Sequence, residues 1–351
     1  ISSSAINLAT GNYFDDTLAA DTTYTISNAG AVQAFQLEVT GGVGDNYDIT
    51  ASSGSTGVLD LTTESTSPAA MFIGDSGNKL YIIDAGTVRI YQYTLTTPND
   101  ITTASYDNKD FLTSSQDGNP RGIFFTSDGL TLITVGTANE RVYRYALSTA
   151  WDISTASYTN DFYTISAQTT NQRGVFLSSD GTKFYVTDDT GTAIEEYTMS
   201  TAYDISTAST TNTFSLGTGA WNGLSFKPDG TSFFVYLNPG QEFREYSMTT
   251  AWDTSTASLA NTFILATSYK AWQWHTWASD GTSFVIYNAT DTQYEQYSAA
   301  ATATITWPTS IEWAGGIAPA APANAETDVF TFTTDDTGTS YTGVKSIDNA
   351  S

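Results

Sequence analysis

The chain contains one histidine and no cysteine, which narrows the chemistry it can perform. A Ser–His–Asp or Cys–His arrangement would have to use His275, whose place in the other repeats is held by Ile123, Val175 or Leu224. An apolar position of this kind predicts a packed or channel-lining histidine. Zinc and iron sites draw on several His or Cys ligands, so we expect no metal site and no cofactor.

Paired carboxylates offer a second chemistry, because two of them at a fixed separation can hydrolyse a glycosidic bond. Seven acidic residues, however, recur at equivalent turn or linker positions, namely Asp128, Asp180, Asp229 and Asp280, and Asp152, Asp204 and Asp253. An active site needs residues that differ between repeats, so this repetition indicates turn geometry. We therefore predict no catalytic residues, and a glycoside hydrolase is the least favoured function for this chain.

Two arginines occupy the same place in successive repeats, eight residues before a turn glycine. The residues at this place are Ala69, Arg121, Arg173, Asn222 and Gln273. We predict that the last four line one mouth of a central channel. Arginine there can bind an anionic sugar or a carboxylate through two parallel hydrogen bonds. The alternative is a structural arginine that pairs with an acid of the neighbouring repeat.

Aromatic residues in the linkers form a second candidate site. Trp151, Tyr203 and Trp252 each precede the sequence Asp-Ile-Ser-Thr-Ala-Ser or a close variant. An exposed aromatic face can stack on a sugar ring, whereas an aromatic side chain wedged between repeats serves packing. The sequence leaves both interpretations open.

Two independent landmarks define the repeat. Turn glycines lie 52, 52, 49 and 51 residues apart, at Gly77, Gly129, Gly181, Gly230 and Gly281. A closing tyrosine keeps the same spacings, at Tyr93, Tyr145, Tyr197, Tyr246 and Tyr297. Each unit holds four strand-like runs, and its Asp-Gly or Ser-Gly turn suits a tight hairpin. Four strands in each period of about 50 residues predict a β-propeller with five blades.

The register also predicts how the ring closes. An isolated strand at 58–61 precedes the first unit, and the last unit ends at Tyr297 without a following strand. If each blade takes its outer strand from the next unit, residues 58–61 complete the fifth blade and protect its open edge. The predicted propeller domain spans residues 44–300. An open array of sheets is the alternative.

Composition agrees with an all-β fold and excludes two classes of partner. Hydrophobic residues make up 40% of the chain and aromatics 13%, with β-branched residues in short runs. The net charge of −25 repels phosphate backbones and anionic lipids, so we expect neither nucleic-acid binding nor membrane insertion. Residues 1–43 and 301–351 lack the repeat, and together they predict a small discontinuous β-sandwich into which the five-bladed propeller is inserted.

These two flanks, joined end to end, resemble a terminal domain of phage tail-fibre and tail proteins. The shared motifs lie at 8–14, at 305–308, at a second Trp followed by paired glycines in 313–319, and at the Asp-x-Phe-x-Phe strand of 328–332. The resemblance covers about a quarter of the chain. It implies a non-enzymatic structural component of a bacteriophage virion, such as a tail or capsid fibre or appendage.

That implication carries further expectations. Partners would be other virion proteins and host-surface polysaccharide, with homo-oligomers possible, and the location would be the virion and extracellular. A cell-surface adhesin or lectin that shares the modules is the alternative function, ahead of the hydrolase.

Overall fold

The structure is a computed structural model, and it is all-β. It describes residues 2–9, 13–17, 22–27, 33–40, 46–52, 54–61, 65, 67–167, 171–188, 192–238, 240–265, 272–299, 305–314, 316–321, 327–334 and 340–347. Within these residues the chain forms strands and short 3-10 helices. It divides into two compact units, residues 49–299 and residues 1–48 with 300–351.

The strands are numbered in chain order. Four precede the ring: β1 (Ser2–Asn7), β2 (Tyr13–Thr17), β3 (Thr22–Ser27) and β4 (Gln33–Thr40). The ring contains β5 (Ser55–Leu59), β6 (Pro68–Gly74), β7 (Lys79–Asp84), β8 (Arg89–Leu95), β9 (Ala104–Leu112), β10 (Pro120–Phe125), β11 (Thr131–Gly136), β12 (Arg141–Leu147), β13 (Ala156–Thr164), β14 (Gln172–Leu177), β15 (Lys183–Asp188), β16 (Ala193–Met199), β17 (Ala208–Ser215), β18 (Ala220–Phe226), β19 (Ser232–Asn238), β20 (Glu242–Met248), β21 (Ala257–Ile264), β22 (Trp272–Trp277), β23 (Ser283–Asn288) and β24 (Gln293–Ser298). The remainder are β25 (Ile305–Thr306), β26 (Ile311–Trp313), β27 (Thr327–Thr334) and β28 (Tyr341–Ile347). The 3-10 helices are Ile49–Ala51, Asp75–Gly77, Ile101–Thr103, Ile153–Thr155, Ile205–Thr207 and Thr254–Thr256.

Residues 49–299 form five four-stranded antiparallel sheets, which confirms the predicted five-bladed propeller. Blades 1 to 4 are β6-β7-β8-β9, β10-β11-β12-β13, β14-β15-β16-β17 and β18-β19-β20-β21, and blade 5 is β22-β23-β24-β5. The first strand of each blade contacts the first strand of the next, and β22 contacts β6, so these inner strands surround the channel.

The ring closes through β5, as the register predicts. Val58 pairs with Glu295 and Leu59 with Tyr294, although the strand begins at Ser55 and ends at Leu59, where the sequence placed it at 58–61. Gln296 of blade 5 accepts a hydrogen bond from the Ile101 backbone N–H at 3.1 Å, which joins blade 5 to blade 1.

The repeated aspartates hold turns and helix starts in place. In the blade 2 hairpin the Asp128 carboxylate accepts bonds from Thr126 Oγ1 at 2.6 Å and the Leu130 N–H at 3.0 Å. Asp152 caps the following 3-10 helix by accepting from the Ser154 N–H at 3.1 Å. The carboxylates of Asp128 and Asp152 therefore accept hydrogen bonds from donors in their own turns.

Residues 1–48 with 300–351 form two sheets, β1-β3-β25 and β2-β4-β27-β28-β26. Both sheets contribute to one apolar core, in which Phe35 and Phe332 stack with their ring centroids 4.7 Å apart. Trp307 stacks on Tyr24 at 5.3 Å, and Trp313 packs against Phe332. The tryptophans on which the tail-fibre resemblance depends thus serve packing within this unit.

Candidate functional site

Each inner strand has a β-bulge at the level of the predicted channel-mouth residues. In β10 the ladder passes from Pro120 to Gly122, which leaves Arg121 as the extra residue. In β14 it passes from Gln172 to Gly174, which leaves Arg173 in the same position. Bulges of this kind redirect a side chain and are common beside functional sites.

Glycines bring the bulged strands of blades 2 and 3 close together. A Cβ atom on Gly122 would lie 3.0 Å from the backbone nitrogen of Val175, so a larger residue would force the strands apart.

Burial and the Arg173 guanidinium both lower the pKa of Arg121, while Asp117 acts in the opposite direction. Arg121 Nε is buried and has no hydrogen-bond partner among the described residues. Two positive charges are therefore close enough to repel each other at this mouth.

Trp274 forms a floor beneath the Arg173 guanidinium. Seven residues before the turn glycine the repeats carry Ala70, Gly122, Gly174, Gly223 and Trp274, so blade 5 supplies the single bulky side chain at this level. The indole is 2% exposed and its Nε1 donates to the Pro68 carbonyl of blade 1 at 3.3 Å. The Arg173 guanidinium carbon lies 5.5 Å from the centroid of this indole, within the range of a cation–π contact.

Sequence reasoning missed Trp274, although the signal was present one position along in the repeat alignment. Of the other predicted mouth residues, Asn222 is buried, and its side-chain nitrogen is 3.4 Å from the Ala220 carbonyl. Gln273 lies in β22, but its side chain falls outside the described part of the structure. The structure therefore brings Arg121 and Arg173 together and places Asn222 at the same level.

Side-chain carboxylates accept hydrogen bonds from backbone N–H groups in the neighbouring loops. Asp84 accepts from the N–H groups of Ser67 and Thr87, both at 2.7 Å. In blade 2 the equivalent of Asp84 is Gly136, and Asp117 supplies the carboxylate from the preceding loop. A Cβ atom on Gly136 would lie 2.4 Å from Asp117 Cγ, so this carboxyl group fills the vacant place.

The linker aromatics lie at the opposite end of the inner strands and contact neighbouring blades. Trp151 packs on Gly129 of its own blade and on Gly74 of blade 1, and its carbonyl accepts from Tyr81 Oη at 2.6 Å. The Trp252 carbonyl accepts from Tyr185 Oη of blade 3 at 2.7 Å. Tyr203 packs on Gly181. All three are half-buried, which is the position of a wedge; their sugar-stacking role stays a prediction.

His275 belongs to a buried Ser–His contact. Its Nε2 lies 2.8 Å from Ser225 Oγ, and its ring packs edge-on against Phe243. Burial lowers the pKa of His275 to about 3, so the ring is neutral near pH 7. Its Nδ1, the atom that an orienting carboxylate would hold in a catalytic triad, has no hydrogen-bond partner among the described residues.

Metal-ligand clusters, membrane-spanning helices and a buried glutamate were considered in the described part of the chain. Within the described residues, no group of three or more His, Cys, Asp or Glu side chains is placed to hold a metal ion. The same part of the chain has no helix long and apolar enough to cross a membrane. Burial raises the pKa of Glu195, and Asp188 raises it further.

Comparison with known proteins returns no matching family model and no matching curated protein. Similar solved structures include a putative 6-phosphogluconolactonase from Bacteroides fragilis, 16% identical over 60% of this chain and 58% of that one, with a TM-score of 0.40. A second putative 6-phosphogluconolactonase, from Bacteroides uniformis, is 11% identical over 66% of each chain, with a TM-score of 0.41. The β-propeller domain of Cps50 (Swd1) from Myceliophteria thermophila is 13% identical over 73% of this chain and 95% of that one, with a TM-score of 0.43.

These structures contradict the predicted role in a phage virion. Two are titled as putative 6-phosphogluconolactonases and one as a propeller domain, and none of the three titles names a phage particle. The physical reason for the error lies in the flanking motifs, because Trp307 and Trp313 pack a core and a core does not determine function. The chain spans 58% and 66% of the two lactonase-titled structures, and likeness at this level assigns no activity to it. The tail-domain resemblance itself stays a prediction.

Proposed function

We propose that the propeller is a ligand-binding module that holds an anionic saccharide at the channel mouth formed by Arg121 and Arg173. The observation that supports this most directly is the pair of guanidinium groups raised on bulges of adjacent inner strands. Two positive charges in a half-buried setting repel each other, and Arg121 Nε is buried without a hydrogen-bond partner among the residues that the structure describes. A bound anion removes both penalties.

The chemistry of the mouth favours binding over bond cleavage. A guanidinium offers a planar fork of donors to an oxyanion, and it stays positively charged at any physiological pH. His275 is neutral and buried, and its Nε2 is held in a contact with Ser225 Oγ. This proposal develops the lectin alternative of the sequence, and it places recognition at one mouth of the ring.

The test is to titrate the full chain with two methyl glycosides that differ only in charge. Isothermal titration calorimetry and NMR measure the binding. We expect saturable binding of the anionic glycoside, no binding of the neutral one, and at least a tenfold loss of affinity in Arg121→Gln and Arg173→Gln. The matched control is Arg89→Gln, which removes the same charge from β8, where Arg89 pairs with Asp110.

Two results would contradict the proposal. One is equal binding of the neutral and anionic glycosides, or binding of neither. The other is an equal loss of affinity in Arg89→Gln, which would indicate a general charge effect and no defined site. Release of reducing ends from acidic polysaccharides by the wild-type chain would identify the hydrolase instead.

A further inference from the structure

Three side-chain positions of the repeat connect blade 1 to blade 2. Tyr81 Oη donates to the carbonyl of the linker tryptophan, as described above. Gln92, one residue before the closing tyrosine, accepts from the Ile153 N–H at 2.8 Å. Lys109 of the outer strand donates to Asp152 at 2.7 Å. All three bonds end on the linker of blade 2, so they fix that linker against blade 1.

The same three positions connect blade 3 to blade 4. Tyr185 donates to the linker of blade 4, and the buried Glu196 accepts from the Thr254 N–H at 3.0 Å and from Thr254 Oγ1 at 2.7 Å. Asn212, in the place of Lys109, donates to the same Oγ1 at 2.9 Å. Hydrogen bonds have strong directional preferences, so they hold these two blades in one relative orientation.

Blade 2 presents different groups to blade 3 at these positions. Ile133 stands in the place of the tyrosine and has no hydroxyl group. Arg144 stands in the place of the glutamine and offers donors only. It donates to Asp161 of its own blade at 2.8 Å, and Asp161 is the outer-strand residue in the place of the lysine. The contacts across this interface include apolar packing of Phe124 on Phe176, with ring centroids 4.9 Å apart.

The interface between blades 4 and 5 has a similar character. Phe234 stands in the place of the tyrosine, and Glu245 accepts from Asn261 of its own blade at 2.8 Å. Phe234 packs against Trp277 of blade 5, with ring centroids 4.6 Å apart. The buried Ser–His contact described above also crosses this interface. Apolar packing has little directional preference, so it permits small sliding motions.

Blade 5 is bonded to blade 1. Gln296 accepts from the Ile101 N–H and donates to the Asn99 carbonyl at 2.9 Å. Trp274 donates to the Pro68 carbonyl. Three interfaces are therefore fixed by these repeated bonds, whereas the interfaces between blades 2 and 3 and between blades 4 and 5 are not. A closed ring can flex only if at least two interfaces yield, and this ring has two.

We propose that the propeller consists of two bodies, one of blades 5, 1 and 2 and one of blades 3 and 4, which hinge at these two interfaces. This inference goes beyond the proposed function and does not depend on saccharide binding. Arg121 and Arg173 lie on opposite sides of the hinge between blades 2 and 3, so hinge motion changes the distance between them.

The experiment measures the spread of distances across each interface of the full chain. The chain has no cysteine, so two introduced cysteines can be spin-labelled without background. The second residue of each linker 3-10 helix is exposed in all five blades, namely Thr50, Thr102, Ser154, Ser206 and Ser255. Five double cysteine variants place labels on adjacent blades, and double electron–electron resonance gives each distance distribution. We expect the distributions for 154/206 and 255/50 to be about twice as wide as the other three.

A further variant supplies the missing bonds. Arg144→Gln with Asp161→Lys copies Gln92 and Lys109 of blade 1, which gives the linker of blade 3 an acceptor and a cation. The 154/206 distribution should then narrow to the width found across the bonded interfaces. The matched control makes the same two exchanges in the pair that Arg89 forms with Asp110 within blade 1, and should leave the 154/206 distribution unchanged.

Three outcomes would overturn the inference. Equal widths across all five interfaces would exclude the hinges. A wide 154/206 distribution that Arg144→Gln with Asp161→Lys fails to narrow, in a protein shown to be folded by circular dichroism, would exclude the missing bonds as their cause. Equal narrowing by the control variant would indicate a general effect of charge.

Discussion

The Arg173 guanidinium lies over the Trp274 indole, although the two residues belong to blades 3 and 5, which are not neighbours in the ring. The contact can form only if Arg173 extends over the channel. Its position is then fixed by an aromatic surface that is itself bonded to blade 1 through Pro68. The floor of the mouth thus connects three blades.

Replacing this floor should affect both stability and binding. Trp274→Ala is expected to lower the free energy of unfolding by about 3–5 kcal/mol, because it leaves a large cavity. It should also weaken binding of the anionic glycoside, because Arg173 loses its support. Denaturation with urea and calorimetric titration measure the two effects. Trp274→Phe is the control and should cost less in both; undiminished affinity in Trp274→Ala would contradict the floor role.

Glu196 should be essential to the interface between blades 3 and 4. Its buried carboxylate accepts from Lys183 Nζ at 2.5 Å and from the Thr254 N–H at 3.0 Å. Glu196→Ala removes both acceptors and is expected to cost about 3 kcal/mol of stability. Glu196→Gln keeps an acceptor, as Gln92 does for the Ile153 N–H at 2.8 Å, and should cost about 1 kcal/mol. Equal losses in urea denaturation would show that the cross-blade bond contributes nothing.

His275 should make the propeller less stable in mild acid. Its pKa is about 3 in the folded chain and about 6.5 when unfolded, so between these values the unfolded chain binds a proton that the folded chain does not. Stability therefore falls as pH drops through this window, by up to about 1.4 kcal/mol per pH unit, and is unaffected above it. His275→Gln should flatten this part of the profile, measured by urea denaturation between pH 7.5 and 4. Parallel profiles would refute the assignment, because carboxyl groups titrate in both proteins.

Trp151 should affect stability without affecting the mouth. Its side chain contacts Gly74 and Gly129, at the far end of β10 from Arg121. Trp151→Ala is expected to lower the unfolding free energy by about 2 kcal/mol through lost apolar contact. Affinity for the anionic glycoside should stay within twofold of wild type. A large loss of sugar binding with normal stability would instead support the stacking role predicted from sequence.

Local spacing explains why the ring was predictable. The Asp-Gly turn and the closing tyrosine are short-range signals that recur in each blade, and closure by the strand before the first unit follows from their register. The arginine level was predictable for the same reason, since it lies a fixed distance from each turn.

Features that join distant residues were not predictable in this way. Asp117 fills the place that Gly136 leaves vacant, yet it comes from a loop between two blades. Trp274 becomes a floor only because four small residues from other blades surround its level. Function was the property that the sequence predicted least well, because the motifs that suggested a virion protein consist of core-packing residues.

The closure of blade 5 by β5 also has a consequence for biosynthesis. Thr56 of β5 bonds to Gln296 of β24, 240 residues later in the chain. During translation the first strand of the propeller must therefore wait, unpaired, until the last blade has left the ribosome. Blades 1 to 4 can form in order as they emerge, whereas the fifth becomes complete only when the oldest segment of the ring meets the newest.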